Sequence, residues 1–188
     1  MIKEQKKIWK IFVNNDTTTE NIKFLVDMLK HKSKAVRASS AHAIGSLKIR
    51  KGLGPLIDAL SSNFGLTFYF AVVQFGPEVV GLLEQKLKQK TTISFRSNMA
   101  GVLGYFPNSK SFNLLCKLIN DESAQVRRMA ASKMVHMKDP RAIKVLKQLL
   151  ANEKNKNVRR FAELSLGELT GKGGYKMVNV EEGLSKLS

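Results

Sequence analysis

The chain has 188 residues and a mass of 21.0 kDa, one domain's worth of sequence, and its 43% apolar content with only 4 prolines supports a buried core and excludes a disordered chain. Its 32 lysines and arginines against 15 aspartates and glutamates give a net charge of +17, which directs attention to anionic partners. A single cysteine, Cys116, excludes an internal disulfide framework, and no Cys/His cluster has metal-ligand spacing.

Taken in chain order, the opening M-I-K-E-Q-K-K-I-W-K-I-F-V is basic, without an apolar leader core or a cleavage site. No uncharged run reaches the roughly 18 residues that a membrane span needs, so a cytoplasmic, reducing location is expected. Residues 2–13 read as a helix whose Ile8, Trp9, Ile11, Phe12 and Val13 cover the exposed end of a helical stack. Five helix pairs are then predicted at 20–30/34–48, 53–62/66–75, 77–89/93–105, 109–119/124–137 and 140–151/156–169. First helices carry stripes such as Val79, Val80, Leu83 and Leu87, and second helices stripes such as Val126, Ala130, Ala131, Met134 and Met137, both at helical spacing. Asp139-Pro140, Gly76-Pro77-Glu78 and Asn108 supply helix-start signals. The organisation expected is one domain over 1–170, with a capping helix in 1–19 and repeats over 20–170, and a flexible tail over 171–188.

The pairs are copies of one unit. Aligning A-V-R-A-S-S-A-H-A-I-G, T-F-Y-F-A-V-V-Q-F-G, F-R-S-N-M-A-G-V-L-G, V-R-R-M-A-A-S-K-M-V and V-R-R-F-A-E-L-S-L-G brings Arg37, Phe68, Arg96, Arg127 and Arg159 into register, at a period near 31. Eight places further stand Gly45, Gly76, Gly104, Val135 and Gly167.

The V-R-x-x-A-A-x-x-L-G signature, followed by a turn and an apolar helix, resembles the short HEAT-like repeats first described in phycobilisome lyases. The resemblance spans residues 20–170 and implies an all-α, right-handed α-solenoid whose inner surface binds a partner. It also implies a half-buried, turn-bonded role for Arg37, Arg96, Arg127 and Arg159. The second unit departs from the pattern, with Phe68 in place of arginine, and the acidic residue that often precedes V-R is kept as Asp121 but replaced by basic residues elsewhere. A regular Arg–Asp ladder is therefore not expected.

Charge is patterned along these units. No acidic residue falls between Asp27 and Asp58, nor between Glu84 and Asp121, whereas lysine and arginine crowd the turn inside each pair and the start of the second helix. Stacking would align them into a stripe suited to a phosphate backbone. The candidate anion-binding residues are Lys30, Lys32, Lys34, Lys90, Arg128, Lys133 and Arg160, with nucleic acid as the first partner and an acidic protein or membrane as the second. The plain alternative is a solvated basic surface.

The segment 63–76 is uncharged and rich in aromatics, with Phe64, Phe68, Tyr69, Phe70 and Phe75. Adjacent helix positions lie about 100° apart, so these rings cannot all face one core. Phe68, Tyr69 and Phe70 are thus candidate apolar anchors for a base or a protein partner, against the alternative of a helix buried on two sides.

Catalytic signals are poor. His31, His42 and His136 are scattered without an H-E or H-x-x-x-H partner, Cys116 falls inside the apolar stripe F-N-L-L-C-K-L-I, and G-K-G-G at 171–174 follows no strand. HEAT-like alkylpurine DNA glycosylases, which share this repeat type, rely on Trp, Asp and Arg in the concave groove; here the only tryptophan is Trp9, in the end helix. A bilin-lyase role is implied by the same resemblance, yet nothing marks a chromophore site. The sequence thus points to a monomeric, non-catalytic scaffold with no cofactor or metal, engaging nucleic acid, with a protein adaptor as the alternative.

Overall fold

The computed structural model describes residues 2–62 and 65–172, with backbone only for Gly65 and Leu66. Phe64 and the tail from residue 173 lie outside the described residues. Among the described residues there are eleven α-helices and no strand: α1 (Lys3–Val13), α2 (Thr19–Met28), α3 (Lys34–Ser46), α4 (Arg50–Ala59), α5 (Gly65–Val73), α6 (Val79–Leu87), α7 (Ile93–Leu103), α8 (Ser109–Leu118), α9 (Ala124–Met134), α10 (Arg141–Asn152) and α11 (Lys156–Leu169). A short 3-10 turn, Val135–Met137, extends α9.

The helices stand where the apolar periodicity placed them, and side chains start several of them. Thr92 accepts the Phe95 amide at 3.1 Å, Asn108 the Ser111 amide at 2.9 Å, and Asn155 the Val158 amide at 3.2 Å, each satisfying a donor that the first helical turn leaves open. In α4 the helix begins at Arg50, ahead of the predicted residue 53, and Pro55 is accommodated inside it.

Two rows result. α1, α3, α5, α7, α9 and α11 pack one on the next, while α2, α4, α6, α8 and α10 each lie against the second helix of their own unit. Contact along the first row is close throughout; α4 and α6, or α8 and α10, barely meet. The stack therefore bends toward the second helices, which form the inner side of an α-solenoid.

Small residues permit the close inner packing. A Cβ at Gly45 would stand 2.8 Å from both the Cα and the carbonyl oxygen of Ala71, so only glycine lets α3 and α5 approach this far. Ala100, Ala130, Ala131 and Ala162 are fully buried on the same row, and the Ser40 hydroxyl donates to the Leu25 carbonyl, tying α3 to α2.

At the N-terminal end α1 caps α3 through buried Ile8 and Ile11, and the Phe12 ring meets His42 at 5.2 Å. Trp9 and Val13 correct the expectation of a fully covering helix: both are exposed, turned away from the Ile8 and Ile11 side. His42 is likewise exposed, held by Phe12 rather than packed inside.

Candidate functional site

Part of the positive charge serves the stack itself. Each register arginine lies at the turn inside its own pair. Nη1 of Arg37 donates to the His31 and Lys32 carbonyls at 2.6 and 2.9 Å, and that of Arg127 to the Asp121 and Glu122 carbonyls at 2.8 and 2.9 Å. Arg96 does the same to Thr91, and Arg159 to Leu150 and Glu153.

In the third and fourth units the same arginines also reach the next unit. Arg96 grips Asp121 with Nε at 2.6 Å and Nη2 at 3.0 Å. Arg127 grips Glu153 with Nε at 2.6 Å and Nη2 at 3.1 Å. The ladder is not regular along the array, but it has a second rung that the sequence did not foretell: Glu153 stands six residues before Arg159, as Asp121 stands six before Arg127, so the acid recurs in the fifth unit. Bidentate pairs of this kind are directional and strong.

Electrostatics follow from this geometry. The Arg127 hydrogen bonds hold the Glu153 carboxyl below the usual carboxylate range against its burial. Burial pushes Asp121 up, but the Arg96 hydrogen bond and the Ser123 amide outweigh it and leave the carboxyl depressed. A depressed folded pKa gives stability that is present above the ordinary carboxylate value and lost as pH falls through the folded one. The thermal midpoint should therefore be level at neutral pH and fall below about pH 4, with Glu153→Gln flattening part of the fall. A wild-type midpoint unchanged to strongly acid pH would show that the ladder carboxylates contribute nothing.

Carboxylates are thus largely engaged elsewhere: Asp58 with Lys86, Glu78 with Arg50, Glu84 with Lys110, Asp139 with Arg141, Glu122 with Arg96 and Glu163 with Arg159. Among the described residues none of Lys30, Lys32, Lys34, Lys90, Arg128, Lys133 and Arg160 has an ion-pair partner. They fall into two groups. Lys30 and Lys32 lie in the α2–α3 turn, Lys34 opens α3, and Lys90 lies in the α6–α7 turn, all four exposed. The corresponding α8–α9 turn carries Asp121 and Glu122, which interrupts the expected stripe.

Arg128, Lys133 and Arg160 belong to the inner row. Arg128 on α9 lies over the Phe161 ring of α11 at 5.0 Å, and Arg160 on α11 is exposed. Lys133 is half-buried, and burial holds its ammonium below the usual lysine range. His136, one turn on, is lowered by burial and by the Lys133 charge.

The aromatic candidates separate sharply. Phe68 is 1% exposed and belongs to the core, so it has no surface to offer a partner. Tyr69 is 7% exposed, and its hydroxyl donates to that of Tyr105 at 2.9 Å. Phe70 is 56% exposed, and its ring lies 4.2 Å from Tyr69 and 6.2 Å from Tyr105, centre to centre. Tyr105, itself 43% exposed, was not singled out by the sequence. Its signal lies in the register: it stands nine places after Arg96, two helical turns beyond the position equivalent to Phe70, and so shares that face.

Residues 81–167 match the family model for HEAT repeats. These residues are HEAT-like repeats. No curated protein matches the sequence. The HEAT-like fold is similar to that of human deoxyhypusine hydroxylase in complex with glycerol, with a TM-score of 0.50 and 17% identity, covering 89% of this chain and 79% of that one. At that identity the likeness concerns the fold alone.

Within this HEAT-like array, among the described residues, no three His, Cys, Asp or Glu side chains come together as metal ligands, and no helix is long and apolar enough to cross a membrane. Cys116 packs partly buried against the core, which pushes its thiol up and away from the reactive thiolate.

Proposed function

We propose that this HEAT-like array is a non-catalytic binding scaffold whose inner row engages an anionic macromolecule, nucleic acid first. The carrying observation is the division of charge: Arg96 and Arg127 of the ladder are neutralised inside the stack, whereas no carboxylate among the described residues answers the seven candidate cations. A folded surface with uncompensated lysines and arginines attracts a phosphate backbone, releasing its condensed counterions. Arg128, Lys133 and Arg160 lie on adjacent inner helices, where one strand of nucleic acid can meet all three.

Fluorescence anisotropy against labelled DNA and RNA, titrated in salt, tests this. Binding should weaken linearly in log salt, and replacing Arg128, Lys133 and Arg160 together by Ala should reduce the steepness by about 2–3, at about 0.7–0.9 per phosphate contact. Unchanged binding in the triple variant sinks the reading. The exposed Phe70 and Tyr105 favour a second reading, a protein adaptor; a partner held with little salt dependence and released by Phe70→Ala would favour it instead.

A further inference from the structure

On the inner row an aromatic and a cation pack onto one helix over two buried glycines. Gly101, in the last turn of α7, and Gly104, just past its end, stand one turn apart. A Cβ at Gly101 would lie 3.5 Å from the Tyr69 ring, and one at Gly104 would lie 2.7 Å from Cδ and 3.1 Å from Cγ of Lys133. Tyr69 from α5 and the Lys133 stem from α9 therefore cross α7 side by side, with Tyr105 directly after Gly104.

The polar groups brought together here are incompletely used. The Tyr69 hydroxyl is enclosed and gives its proton to Tyr105, so the Tyr105 hydroxyl retains a proton for an acceptor outside the chain. The Lys133 ammonium, among the described residues, has neither an ion pair nor a hydrogen-bond acceptor. A cation whose stem is held by packing and whose charge no group of the chain has claimed is a ready contact for an incoming anion. No carboxylate among the described residues pairs with Lys133 to compete for it, and His136 beside it is held toward its neutral form. Tyr105 directly follows the glycine on which the Lys133 stem packs, and its exposed ring meets that of Phe70 at 6.2 Å and 78°. This face thus offers an anion contact and an aromatic contact on neighbouring helices.

A nucleotide meets both demands, provided its base is free. In a duplex each base is covered on both faces by its neighbours, and only an unpaired base can lie against a protein ring. Resting on the reading that the array binds nucleic acid, we propose that the face formed by Phe70, Tyr105 and Lys133 holds one unpaired nucleotide, its base against Phe70 and Tyr105 and its phosphate on Lys133 and the Tyr105 hydroxyl. The partner is accordingly single-stranded nucleic acid. Arg128 over Phe161 repeats the pairing of cation and ring one helix further on, which continues the track toward Arg160.

The experiment compares labelled oligothymidine and oligouridine with a labelled blunt-ended DNA duplex and RNA duplex, each annealed from two strands and of equal nucleotide number, for the wild type, Phe70→Ala and Lys133→Ala, with circular dichroism verifying the fold of each. Single strands should bind more tightly than duplexes. Phe70→Ala should weaken single-strand binding roughly 5- to 150-fold, the range of one stacked base, and leave duplex binding unchanged, whereas Lys133→Ala should weaken single-strand binding and reduce its salt slope. Equal affinity for both forms, or single-strand binding indifferent to Phe70→Ala, overturns the inference while leaving the broader reading intact. Absence of binding to any of the four probes at physiological salt overturns both.

Discussion

Phe68→Ala should cost about 3–5 kcal/mol, the usual loss when a fully buried phenylalanine leaves a cavity, and lower the thermal midpoint by roughly 6–20 °C for a chain of this size. Phe70→Ala, two residues away, should cost less than about 1.5 kcal/mol, because it removes only partial contacts with Tyr69 and Tyr105. The contrast follows from position. Phe68 occupies the register place that arginine holds in the other units, where the side chain enters the stack, and Phe70 is turned about 200° round α5 from it. Phe68→Arg should not rescue the site: the third-unit position that a ladder arginine at 68 would pair with is Lys90, six residues before Arg96, where the next two units have Asp121 and Glu153. An apolar ring there avoids opposing two cations, and it leaves Lys90 exposed and unpaired in its turn. Thermal melts followed by circular dichroism decide the matter; equal midpoints for the alanine variants at 68 and 70 would refute this placement.

The helices and their pairing were legible because each unit repeats an apolar stripe of helical period, and the stripe is dictated by burial on one side only. The ladder was not, since its partners lie in different units: Arg127 and Glu153 meet only when two pairs stack. Taking the residues just before V-R as the sole acidic signal found Asp121 and passed over Glu153, which stands at the same offset behind a lysine-rich turn. For the aromatic segment, the rule that adjacent rings cannot share one core foretold that some must reach the surface. Which ones depended on the rotation of α5 in the stack. Phe68 follows the register inward, Phe70 faces out, and Tyr69 is enclosed by a residue from the next unit, Tyr105. Composition likewise gave the excess of positive charge but could not separate Arg127, neutralised by Glu153, from its neighbour Arg128, which is not.

Arg127→Ala should cost about 2–3 kcal/mol, somewhat less than the 3–5 kcal/mol of a completely buried pair because the guanidinium edge is partly open. The loss is felt at Glu153, whose side chain is only 4% exposed and would keep its charge with fewer partners, and at the Asp121 and Glu122 carbonyls, which lose a donor. Arg127→Ala combined with Glu153→Ala should therefore destabilise by less than the sum of the two, with a coupling of about 1–2 kcal/mol. Arg50→Ala, which breaks an exposed pair with Glu78, should cost under about 1 kcal/mol. Denaturant melts give all of these values, and an Arg127→Ala cost no greater than that of Arg50→Ala would reduce the ladder to surface decoration. The same variant also discriminates by binding. Arg127 already directs its donors into the stack, so its removal should change nucleic-acid affinity far less than Arg128→Ala, although the two substitutions remove the same formal charge from adjacent positions. A net-charge effect alone would make them equal; a shaped inner face makes them differ.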